Sequence, residues 1–77
     1  MNTERVPARE FRLEIKNFLN ANKKISSSGK IMKKYLEAKG WLTMEDCKKN
    51  GIKVTGLARH ATKVGRGTFT FVNLRAA

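Results

Sequence analysis

Lys48, Lys49, Lys53, Arg59, Lys63 and Arg66 are the residues of this chain whose type and spacing point to chemistry, and that chemistry is anion binding. They lie close together, and no Asp or Glu follows Asp46. Arg66 stands in Lys63-Val-Gly-Arg-Gly-Thr-Phe-Thr-Phe71, with a glycine on each side. Glycine tolerates backbone angles that other residues avoid, so this segment can turn sharply and hold the arginine on an exposed tip.

Nucleophilic and metal chemistry have less to stand on. Cys47 is the only cysteine and His60 the only histidine. A structural zinc site wants four ligands. A catalytic Cys–His pair needs an exposed thiol, whereas Cys47 falls on the apolar side of a short helix. Ser26-Ser-Ser-Gly-Lys-Ile31 has the end of a phosphate-binding loop but neither its earlier glycine nor a preceding strand. Neither an enzyme nor a bound cofactor is expected, and no disulfide can form within the chain.

The charge supports anion binding as the main theme. The 77 residues hold 17 Lys and Arg against 6 Asp and Glu, a formal net charge of +11. Residues 1–47 carry net +4, and residues 48–77 carry net +7 with no acid at all. Self-repulsion on this scale works against compactness, so an anionic partner is the natural inference. The N-terminus is charged and lacks the apolar stretch of a signal peptide, and no run reaches membrane-spanning length. A cytoplasmic location, at the nucleoid if the partner is DNA, is the corresponding expectation. A membrane partner is not expected, because no helix pairs a basic face with an exposed apolar one.

The apolar pattern supplies the elements that position these cations. A single domain over residues 1–77 is expected: an N-terminal helix in 1–24, a helical core over 26–62 and a hairpin over 63–74. Pro7 suits a first helical turn. Phe11, Ile15, Phe18 and Leu19 follow as one apolar stripe, with Glu10 and Glu14 early and Lys23 and Lys24 at the close. Ser26, Ser27 and Ser28 can cap a second helix whose buried side is Ile31, Met32, Tyr35 and Leu36. Lys30, Lys33, Lys34 and Glu37 face water, and Gly40 stops the helix before Trp41. Tyr35 and Trp41 read as core residues. Thr43-Met-Glu-Asp46 reads as a capping box, with Asp in the usual Glu or Gln place, opening a short helix that ends at Gly51. Ile52 then re-enters the core.

Val54, Leu57, Ala58, Ala61 and Val64 recur at helical spacing and predict a fourth helix over 54–62, despite a cost of about 1 kcal/mol for Gly56. Strand, tight turn and strand follow, with Phe69 and Phe71 on one face and Thr68, Thr70 and Val72 on the other.

The segment Leu42-Thr-Met-Glu-Asp-Cys-Lys-Lys-Asn-Gly-Ile-Lys-Val-Thr-Gly-Leu-Ala-Arg-His60 resembles a helix-turn-helix. Cys47 takes the small-residue position, Gly51 the turn, and Ile52 and Leu57 the anchors. Asp46, Asn50 and His60 depart from the motif, which usually has apolar residues there. With the hairpin attached, residues 26–74 resemble a winged-helix DNA-binding domain. The resemblance implies a mainly α fold with a C-terminal β-hairpin wing and a duplex-DNA partner.

On the expected fourth helix, Thr55, Arg59 and Thr62 lie opposite the apolar stripe, with Lys63 beside them. Such a helix would enter a major groove about 12 Å wide, and Arg59 would pair with guanine. Arg66 would reach a phosphate or a narrow minor groove. Lys48, Lys49 and Lys53 would position the protein on phosphates. Six such contacts imply a log–log salt slope of about −5. A small accessory or transcriptional regulator of bacterial or phage type is the leading expectation. An RNA-binding module is a second, which would need exposed aromatics on a sheet. A factor that modulates an enzyme or complex through an acidic protein surface is a third. Monomer and homodimer both remain open.

Overall fold

The computed structural model describes residues 2–21 and 28–77. The chain runs β1 (Thr3–Arg5), α1 (Ala8–Ala21), α2 (Ser28–Ala38), β2 (Trp41–Thr43), α3 (Met44–Lys49), β3 (Arg59–Val64) and β4 (Gly67–Ala76). All strand pairings are antiparallel, and β4 is the central strand. β2 lies along one edge of β4, with Thr43 opposite Phe71. On the other edge β3 and β1 follow one another, β3 against Gly67–Val72 and β1 against Leu74–Ala76.

Asn73 closes the joint between those two strands. It is buried, and its side-chain amide donates to the Val6 carbonyl at 2.6 Å. Its Oδ1 accepts from the Ala58 N–H at 2.8 Å. Its backbone N–H and C=O bond to Ala58 and Val6 as well. One residue thus satisfies backbone groups that the gap in the ladder would leave orphaned.

Successive β4 side chains point to opposite faces, and each face has its own core. On one side Phe71 packs with Phe11, Ile15 and Phe18 of α1, Met32 and Leu36 of α2, Val6 and Trp41. On the other, Val72 and Leu74 pack with Leu42 and Cys47, and with Met44, Ile52, Val54 and Leu57. Burying each of the larger side chains contributes roughly 1.5–3 kcal/mol. Helices α1 and α2 therefore back one face, while α3 and the loop after it partly cover the other.

Several local expectations hold. Phe11, Ile15 and Phe18 form the buried stripe of α1, although Leu19 is exposed. Met32 and Leu36 are buried in α2, with Ile31 and Tyr35 packed beside them. The Thr43–Asp46 capping box has both of its hydrogen bonds, each 3.0 Å. The roles expected of Lys23, Lys24, Ser26 and Ser27 lie outside the described residues.

The mainly α, winged-helix-like fold is overturned. The protein is α+β, with a four-stranded sheet, and the helix expected over 54–62 does not exist. Thr55 and Gly56 form a turn in which Gly56 has φ +79°, and residues 59–64 are strand β3. The reason is cooperative. The two-residue turn at Gly65 and Arg66 sets Val64 opposite Gly67, and the ladder then continues to Arg59 opposite Val72. Gly65, with φ +61°, is the first central residue of that turn, the place where hairpins favour glycine. Pairing all of β4 satisfies more backbone groups than a short helix interrupted by a left-handed glycine would. The helix-turn-helix departures find other uses. Asp46 caps α3, Asn50 bonds back to the Asp46 carbonyl at 2.8 Å, and His60 lies in β3.

Candidate nucleic-acid interface

The hairpin formed by β3 and β4 leaves one face largely bare, with α3 along its border. Arg59, Ala61 and Lys63 alternate onto the α3 side and are exposed. Directly opposite them on β4 stand Val72, Thr70 and Thr68. Val72 is fully buried beneath α3 and the following loop. Beyond it the cover ends, leaving Ala61, Lys63 and Thr68 exposed and Thr70 half-buried. Arg66 is exposed at the tip. A shallow groove of about 390 Å³ runs between this face and α3, lined by Lys48, Met44, Glu45 and residues 67–70 of β4.

The structure regroups the expected contact residues. Arg59 and Lys63 share a face, as strand residues rather than helix residues, and Lys48 borders the same face. Lys53 and Thr55 are exposed in the loop that packs on that side of the sheet. Lys49 points to Glu45, with Nζ 3.7 Å from its carboxylate. Thr62 is the exception: it faces α2, is 4% exposed, and its hydroxyl donates to Met32 Sδ at 3.8 Å. It cannot meet a ligand on the bare face. Arg59, Thr55 and Thr62 therefore do not form the outward stripe expected of a helix. Ala61, Thr68 and Thr70 join the face without having been expected there as contacts. The alternation Thr-Phe-Thr-Phe already placed both threonines together, but the helical reading of residue 61 hid their neighbour.

Electrostatically this face is largely uncompensated: Glu45, the carboxylate that lines its groove, is paired with Lys49. The four ion pairs among the described residues use Lys33, Lys39, Lys49 and Arg75. Lys48, Lys53, Arg59, Lys63 and Arg66 enter none of them. With few carboxylates near, their fields add, and the potential over the face is positive.

The opposite hairpin face offers no stacking platform. Phe71 is fully buried, and Phe69 is packed against the core with Lys33 Nζ 4.0 Å above its ring. Cys47 and His60 lie on opposite sides of the sheet, because His60 pairs with Phe71 while Cys47 packs with Val72. Burial raises the Cys47 thiol pKa, with the Asp46 charge adding to it. That is the reverse of what a nucleophilic thiol needs.

Among the described residues no helix is long and apolar enough to cross a membrane. No protein-family model, curated protein or solved structure matches this chain.

Proposed function

We propose that this protein is a small DNA-binding factor, of accessory or regulatory type, that docks double-stranded DNA on the bare face of its C-terminal hairpin. One observation carries the reading: Lys48, Lys53, Arg59, Lys63 and Arg66 form an exposed set with no carboxylate partner. The polyanionic backbone of a duplex is the complement of that surface. The covered aromatics favour duplex over single strands, whose recognition relies on stacking of bases on exposed rings. A lone free cysteine fits a reducing cytoplasm.

Fluorescence-anisotropy titration of labelled duplex DNA, single-stranded DNA and RNA at several salt concentrations tests this. Five neutralised phosphates give a slope of about −4.5 in log affinity against log salt for the duplex. Arg59→Ala and Arg66→Ala are each expected to weaken binding and to lower the slope by about 1. Absence of duplex binding at moderate salt would overturn the proposal and direct the search to an acidic protein surface.

A further inference from the structure

The geometry points to a specific mode, resting on the DNA-binding reading above: the hairpin enters the major groove as a two-stranded ribbon, with the Ala61–Thr70 pair on the base edges. A β-ribbon, its strands about 4.8 Å apart, fits a groove about 12 Å wide. Here the ribbon has a bare face for the groove and a supported back. Thr62, Val64 and Phe69 turn towards α2, so α2 stays behind the ribbon, away from the DNA.

The placement of charge matches the groove. Arg59 and Lys63 are four residues apart on one strand, about 13 Å at the usual rise. Each can therefore meet phosphates on one rim of the groove. Ala61, midway between them, faces its floor. Its cross-strand partner is Thr70, and Thr68 stands opposite Lys63. Between the two cations the ribbon thus carries short side chains, which let the strands approach the bases. Arg66 at the tip and Lys48 beside the groove extend the phosphate contacts.

The chemistry of that floor is also defined. Ala61 offers a methyl group, and Thr70 a methyl and a hydroxyl. Apolar side-chain contact in the major groove selects the 5-methyl group of thymine, while the hydroxyl can donate to or accept from either pair. A·T pairs beneath Ala61 and Thr70 are the corresponding preference. The same logic selects DNA over duplex RNA. The A-form major groove is deep and narrow, and a ribbon backed by a helix cannot reach its floor.

The test uses the full chain and one A·T-rich duplex, with anisotropy as the readout. Netropsin, which fills the minor groove, should leave binding unchanged. Replacing thymine by uracil should weaken it about fourfold for each contacted methyl group, the value of one buried CH₂. Ala61→Trp keeps the charge and blocks the floor, and should weaken binding more than tenfold. Because Ala61 is exposed, the unfolding midpoint of this variant should match that of the wild type, which separates a groove effect from a folding effect. Duplex RNA of the same sequence should bind at least tenfold more weakly than the DNA. Displacement by netropsin, or binding indifferent to both uracil and Ala61→Trp, would overturn the groove assignment while leaving DNA binding intact. A wild-type chain that binds no duplex at all would instead remove the reading on which it rests.

Discussion

Gly29→Ala tests the contact that holds α2 behind the hairpin. Gly29 lies in the first turn of α2, against the backbone of β3. A Cβ added there would overlap the Lys63 carbonyl oxygen, and would lie 2.6 Å from its carbon and 3.5 Å from the Val64 nitrogen. In a free helix the substitution stabilises, by roughly 1 kcal/mol. Here the obstruction is the backbone of a strand paired to β4, which cannot rotate aside as a side chain would. Relief requires lifting α2 from β3, which loosens Met32 from Thr62. Overpacking of this kind costs about 1–3 kcal/mol, and a clash with backbone belongs at the upper end. Setting the helical gain against it leaves a net loss of about 2 kcal/mol. For a domain of this size that lowers the midpoint by roughly 8–16 °C. Thermal and urea unfolding followed by circular dichroism measure it, with Lys30→Ala on the exposed side of α2 as the control. A Gly29→Ala protein as stable as the wild type would refute the close approach, and with it the placement of α2 on the ribbon's back.

Other outcomes follow from the same structure. Asn73→Ala should cost about 3 kcal/mol in urea unfolding, because the Val6 carbonyl and Ala58 N–H lose their side-chain partners in a buried joint. A loss under about 0.5 kcal/mol would mean that β1 and β3 do not meet there. Burial lowers the His60 pKa below its ordinary 6.5. The unfolded chain then binds the proton more readily, so the contribution is intact above pH 6.5 and is lost as pH falls through the folded-state value. His60→Gln should flatten the stability profile as pH falls below 6.5. An unchanged profile would mean that His60 is not desolvated. Thr43→Ala should remove about 1 kcal/mol through the lost cap of α3, measured by the same unfolding assay. A neutral effect would place the start of α3 elsewhere.

Much of the helical half was legible from the order of residues because its signals are local. The stripe of Phe11, Ile15 and Phe18 predicts α1, and Met32 and Leu36 predict the buried side of α2. Thr43 and Asp46, three residues apart, predict the cap of α3 bond for bond. The turn at Gly65 and Arg66 was equally legible, since a glycine beside a short tip signals a hairpin. The charge asymmetry was likewise plain in the order of residues, with seven cations and no acid over residues 48–77.

Only the tertiary structure decided what residues 52–64 become. Val54, Leu57, Ala58, Ala61 and Val64 satisfy a helical period, yet Arg59–Val64 also satisfies a strand. The choice rests on β4, whose unpaired backbone groups lie several residues away in the chain and weigh more than local preference. β1 and β2 escape detection for a related reason: strands of three residues carry no measurable alternation. Burial of Thr62 and exposure of Ala61 follow from the hairpin register, which the spacing of apolar residues alone does not reveal. Composition and spacing thus determined that this protein carries a basic surface and where its cations lie along the chain. The β3–β4 ladder decided which of them share a face, because side chains two residues apart on a strand point together, whereas on a helix they diverge.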